Sequence, residues 1–131
     1  MSSTTLLAKS TSSSLAVHPW ATLDGHTIRA VETGAVLVDE WGNEFLSALG
    51  LPPDWLADLR QALLIALLGH DLGKANHQFQ QLVRRKGDFV RQAIRHEVVG
   101  LYWILTHLSF NAWLFSGQSD LVQQAALSAL V

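Results

Sequence analysis

The sequence predicts an all-α fold, a bundle of about five helices. Three observations carry that expectation. Several long segments place apolar residues at the three- and four-residue spacing of a single helix face. No segment alternates strictly between apolar and polar residues with β-branched enrichment, the pattern of a half-buried strand. The chain of 131 residues is 49% apolar and only 15% charged, against about a quarter charged in a typical soluble domain. Such a chain can bury a core, and it should carry apolar surface for a neighbouring domain or subunit.

The elements follow in order. Residues 1–17, rich in Ser and Thr, read as a flexible leader, and 18–131 as the N-terminal part of one domain. A turn at Pro19 precedes a helix expected over 24–41, with Ile28, Val31, Ala35, Val38 and Trp41 on one face. A polar, Gly- and Pro-containing loop follows, with a helical turn over 44–49. Asp54, after two prolines, is placed to cap the next helix, which runs into "GHD" and is apolar nearly all round in its second half. Residues 75–85 form a short helix with Phe79, Leu82 and Val83 inward, and "KGD" makes a turn. A long helix over 89–108 turns Val90, Ile94, Val98, Leu101, Leu105 and Leu108 to one side. "SFNAWLFSGQS" breaks it, and Ser119 or Asp120 caps a last helix that is still running at the final residue, as if the domain were cut.

Bulk properties narrow the function. A net charge of -2 gives no global attraction to nucleic acid, so any such contact must be local. The absence of Cys removes disulfides and thiolate metal sites and leaves His, Asp and Glu as metal donors; a cytoplasmic location fits. The longest apolar run, 62–68, is far short of the roughly 20 residues that span a bilayer, and the N-terminus lacks the basic start and apolar centre of a secretory signal.

The unusual feature is "LLGHDLGKANHQFQ" at 67–80. Gly73 as a stop signal, with His70 and Lys74 near a helix C-terminus, accounts for most of it. Asp71 is unaccounted for, because a carboxylate in the last turn opposes the helix dipole. Of six histidines, His26, His70 and His96 share a setting, each beside or within an otherwise apolar helix face. Singly, each reads as a core or surface His. Together with Asp71 they supply the donors of a divalent transition metal, manganese, iron, cobalt, nickel or zinc. Adjacent residues on a helix point about 100° apart, so His70 and Asp71 can serve one centre only if the helix ends there, with the remaining donors coming from other helices. His77 reads as a surface residue, His18 and His107 as structural, and Phe110, Trp103, Trp113 and Phe115 as core or interface.

"HDLGK" after an apolar helix, with a His about 44 residues upstream and another about 26 downstream, resembles the HD metal-dependent phosphohydrolase superfamily. "LLGHDLGKANHQFQ" followed by "RHEVVG" is similar, more narrowly, to the HD nuclease domain of the CRISPR-associated type I nuclease-helicase. The likeness runs from about residue 18 to the end. It implies a helical HD-domain bundle that cleaves single-stranded DNA by metal-activated water, with one or two ions. It implies His26, His70, Asp71 and His96 as ligands, Asp71 as bridge or proton acceptor, and Lys74 as a charge neutraliser at the phosphate. A helix-end Lys in solvent is the plain alternative for Lys74. Arg84, Arg85, Lys86, Arg91 and Arg95 form a basic cluster that could follow a nucleic-acid backbone or simply be a solvated turn. Implied partners are the surveillance complex and a helicase domain or subunit, with no membrane. The family pattern goes on to a His-His pair and a later Asp, neither of which is in the chain. Two other readings stay open: an HD phosphohydrolase acting on nucleotides, and a catalytically incomplete module that docks within an effector complex.

Overall fold

Thr22 starts the first helix. Its backbone is extended, and its hydroxyl accepts from the Gly25 N–H at 3.1 Å, capping α1 (Leu23–Ala48). In the computed structural model, which describes residues 5–10, 17–85 and 91–130, five further helices follow: α2 (Leu56–Gly69), α3 (His77–Val83), α4 (His96–Thr106), α5 (Leu108–Leu114) and α6 (Asp120–Ser128). Three short 3-10 turns, Pro19–Ala21, Pro53–Trp55 and Leu72–Ala75, link them. Among the described residues there is no strand, only an isolated bridge between Leu7 and Thr22. None of these helices is long and apolar enough to cross a membrane.

Helix α2 is central and packs against α1, α4 and α6. Its Ala62 and Ile65 join Ile104, Leu114, Phe115, Val122, Ala126 and Leu130 in the core. Against α1 the contact is made at glycines. A Cβ at Gly34 would strike the Leu67 side chain, and one at Gly42 would strike Leu56. The pairing of 34 with 67 and 42 with 56 means that the two helices run in opposite directions.

The all-α class holds, with several corrections in detail. Helix α1 continues through Gly42 to Ala48, absorbing the turn expected over 44–49, because Gly42 serves the approach of Leu56 rather than a stop. Its buried stripe is Gly34, Val38, Gly42 and Leu46; Ile28 and Trp41, expected inward, are 58% and 62% exposed. Asp54 does not cap α2. The prolines set a 3-10 turn over Pro53–Trp55 first, and α2 begins at Leu56 without a side-chain cap. The helix expected over 89–108 starts only at His96, after extended Arg95, and stops at Thr106; residues 91–95 are not helical and 86–90, including the "KGD" turn and Val90, lie outside the described residues. Its buried positions are Gly100 and Ile104, whereas Ile94, Val98, Leu105 and Leu108 are exposed. The segment expected to break it contains α5, which brings the described residues to six helices, one more than expected. Ser119 caps α6, its hydroxyl accepting from the Val122 N–H at 3.3 Å. Of the aromatic group, Phe115 is buried and Phe110 packs on the core, while Trp103 and Trp113 are exposed.

Part of the stretch 1–17 expected as a leader is held in place. Leu7 and Ala8 are buried, and Ala8 N–H donates to the Ala21 carbonyl at 2.8 Å. The Gln80 side-chain amide closes both backbone groups of Leu7, each at 2.9 Å. Residues 1–4 and 11–16 lie outside the described residues.

Candidate metal centre

Helix α2 ends at Gly69, so His70 and Asp71 stand in a turn and not in a last helical turn. Asp71 is the residue that precedes the 3-10 turn Leu72–Ala75, with its backbone carbonyl accepting from Lys74 N–H at 2.8 Å. Asp71 thus stands just past the negative end of the helix, and its compensation comes from the side chains around it. The Asp71 side chain caps nothing; only 2% of the residue is exposed, and its carboxylate is the focus of four cationic or imidazole groups.

On Oδ2 lie His26 Nε2 at 3.3 Å, His70 Nε2 at 3.3 Å and Lys74 Nζ at 2.7 Å. On Oδ1 lies His96 Nε2 at 3.4 Å. The three imidazoles come from the start of α1, the end of α2 and the first position of α4, so three elements converge on one carboxylate. The imidazole distances are longer than a good N–H···O bond. They match the spacing of donors around a common ion, since donors about 2.1 Å from a metal stand about 3.0 to 3.4 Å from one another. The donor atoms of His26, His70 and Asp71 all lie within 4.8 Å of one another. The residues present thus fit a divalent transition metal in kind and spacing.

The surroundings aim these groups. His70 Nδ1 is 2.6 Å from the Leu67 carbonyl; a carbonyl only accepts, so Nδ1 carries the proton and Nε2 faces Asp71 as a donor atom for a cation. His96 Nδ1 is 3.5 Å from a Glu97 carboxylate oxygen, which favours a proton there and leaves Nε2 toward Asp71. Glu97 is itself held by Arg95 at 2.8 Å, which keeps its carboxyl at about 2. Phe79 packs beside the His96 ring, centroids 5.6 Å apart. Burial alone would push the Asp71 carboxyl up; the His70 and Lys74 side chains outweigh it and hold it at about 2. The Asp71 carboxylate pushes the His70 imidazole up, against burial. Burial pushes His26 down, against the pull of Asp71.

Two glycines place α4. A Cβ at Gly73 would collide with the His96 carbonyl and come within 2.6 Å of the Gly100 N, both backbone. Gly100 returns the contact: its Cβ would lie 3.1 Å from the Gly73 N. This backbone-on-backbone seam brings His96 to Asp71. From the sequence Gly73 reads as a stop that lets the helix end at the His-Asp pair, and Gly100 carries no signal beyond interrupting an apolar helical stretch. Gln80, 8% exposed, ties the same turn down by donating to the Lys74 carbonyl at 2.8 Å.

Lys74 is not a helix-end lysine in solvent: its side chain is 14% exposed and paired with Asp71. The basic cluster is dispersed in use. Arg84 donates to the Thr5 carbonyl and to Gln80, Arg95 pairs with Glu97, Arg85 and Arg91 are exposed, and Lys86 lies outside the described residues. His77 is exposed and bonded to Gln81 at 2.7 Å. His18 accepts from Trp20 N–H at 3.2 Å, and His107 stacks on Trp103 with centroids 4.3 Å apart.

A helical bundle with a His-Asp pair whose carboxylate is buried and ringed by histidines of two further helices has the make-up of an HD-type domain. The sequence model of the family described as "Cas3, HD domain" matches residues 7–131, and the chain belongs to that family. It is 36% identical, over 116 residues, to a protein of Myxococcus xanthus (strain DK1622) named as a CRISPR-associated nuclease/helicase Cas3. It is 38% identical over 69 residues to the Pseudomonas aeruginosa (strain UCBPP-PA14) CRISPR-associated nuclease/helicase Cas3 subtype I-F/YPEST. These alignments take in 88% and 51% of the chain but only 15% and 6% of the relatives' own lengths. No solved structure gives a significant match.

Proposed function

We propose that this domain is the metal-dependent nuclease part of a type I CRISPR nuclease-helicase and hydrolyses phosphodiesters of single-stranded DNA. The observation that carries the reading is the buried Asp71 carboxylate at the meeting point of His26, His70, His96 and Lys74. Family membership and the names of the relatives support it.

His26, His70 and Asp71 Oδ2 would hold one divalent ion, with His96 on the Oδ1 side available to the same ion or a second. When bound, such an ion polarises a phosphodiester oxygen and lowers the pKa of water at the site. The chain's own residues do the rest. Asp71 stays ionised through the pH range of the reaction because its neighbours hold it at about 2. The Leu67 carbonyl fixes His70 with Nε2 turned inward, and Glu97 lies 3.5 Å from Nδ1 of His96, whose Nε2 faces Asp71. Lys74 pairs with the Asp71 carboxylate at 2.7 Å and would supply positive charge to a phosphate at the site. Helicase and surveillance-complex partners, and a cytoplasmic setting, follow from the same reading.

Exposed Leu37, Trp41 and Phe45 on α1 favour a second role, docking within an effector assembly. One experiment separates the readings: protein loaded with Mn2+, Co2+ or Ni2+ and offered a labelled single-stranded oligonucleotide or free nucleotides. Metal-dependent cutting of the strand, lost in Asp71→Ala, is expected. Hydrolysis of nucleotides alone would point to a nucleotide phosphohydrolase, and metal-free, inactive protein to the docking role.

A further inference from the structure

Arg29 lies three residues beyond His26 on α1, so the two side chains fall on one stripe of the helix. With Thr33 they line a depression of about 360 Å³ floored by Gly34, Leu63 and Leu67. The Arg29 guanidinium is stacked: its carbon sits 4.0 Å from the centroid of the Trp20 ring. Trp20 belongs to the turn Pro19–Ala21, which is seated on the start of α1. Thr22 N–H donates to the Pro19 carbonyl at 3.2 Å, and a Cβ at Gly25 would strike that same carbonyl.

Other arginines are committed elsewhere. Arg60 pairs with Asp39, Arg95 with Glu97, and Arg84 donates to the Thr5 carbonyl. Among the described residues Arg29 has no carboxylate within ion-pair distance. Arg85 and Arg91 share that property, but neither lines the depression that His26 lines. Stacking engages the flat face of a guanidinium and leaves its N–H edge for a planar, bidentate acceptor such as phosphate.

We propose that Arg29 binds a phosphate of the nucleic-acid strand adjoining the one presented to the Asp71 cluster, an assignment that rests on the nuclease reading. The strand then enters along α1, and not over the arginines of 84–95.

The test is fluorescence anisotropy of a labelled single-stranded oligonucleotide with metal-free protein, across a salt series. Arg29→Gln is expected to weaken binding about tenfold and to reduce the salt slope by about 0.7, the share of one phosphate contact on a single strand. Arg29→Lys restores the slope but only part of the affinity. Trp20→Leu keeps the charge and gives an intermediate loss. Arg60→Gln, the same charge change on α2, stays within twofold of wild type. Binding by Arg29→Gln within twofold of wild type, or an equal loss in Arg60→Gln, overturns the assignment. Should circular dichroism find Arg29→Gln unfolded, wild-type affinity in both Arg29→Lys and Trp20→Leu overturns it. If the wild-type protein binds no strand, the nuclease reading falls and this inference with it; if it binds and Arg29→Gln matches it, only the inference falls.

Discussion

The two contacts of α2 with its surroundings are packed to different standards. At its C-terminal end, the turn carrying His70 and Asp71 meets α4 backbone to backbone, through Gly73 and Gly100. Every buried polar side-chain atom among the described residues has a partner. Along its length, the seam with α1 and α6 leaves Leu37, Trp41 and Phe45 more than half exposed around an apolar groove of about 420 Å³. Both seams close at glycines, but at the site backbone meets backbone around four polar groups, whereas beside the α1 seam apolar surface is left open. That is the reverse of what stability alone would favour. It is what a fixed donor set requires, because a metal centre tolerates displacement of its ligands far less than a helix seam does.

This contrast can be broken at the glycine seam. Gly73→Ala forces two backbone groups apart, neither of which can rotate away. Urea unfolding is expected to show a loss of about 2 to 4 kcal/mol, and metal affinity should fall with it as His96 leaves Asp71. Unchanged stability would mean that the seam is not closed. Gln80→Leu keeps volume but strands the Leu7 N–H, the Leu7 carbonyl and the Lys74 carbonyl. A loss of about 2 kcal/mol is expected, with metal content retained, because no ligand is touched.

A change of pH sharpens the contrast without mutation. The His70 pKa is raised in the ion-free protein, and an ion needs the neutral imidazole. Protonation therefore competes increasingly as pH falls through that raised value. Calorimetric metal affinity should be several-fold weaker at pH 6 than at pH 8. Equal affinities would exclude His70 as a ligand. On the open side, Trp41→Gln removes a ring that is 62% exposed and should shift stability by no more than about 0.5 kcal/mol. A larger loss would mean that the groove is closed in solution.

The grouping of the candidate site residues is legible in the sequence, and the packing faces are much less so. His26, His70, Asp71 and His96 stood out because their spacing resembles a family pattern, and the structure brings all four together. The requirement that the helix end at the His-Asp pair was also legible, since neighbouring residues of a continuous helix diverge. The faces of α1 and α4 differ from the apolar periodicity for one reason. Apolar periodicity counts large side chains, but these helices approach their neighbours at Gly34, Gly42 and Gly100, where contact is made by lack of a side chain. The large residues beside those glycines then lie at the edge of the seam or in solvent, as Trp41 and Val98 do. Helix α4 begins at His96, where extended Arg95 precedes it and where the seam with Gly73 starts.

The central claim is that Asp71 organises a metal centre. Its most direct test is the metal content of purified protein after incubation with Mn2+, Co2+, Ni2+ or Zn2+ and desalting, measured for wild type and Asp71→Ala by mass spectrometry, with circular dichroism on both. The account predicts retained metal in the wild type and none in the variant, with the helical signal unchanged. Equal metal content in the two proteins would contradict it.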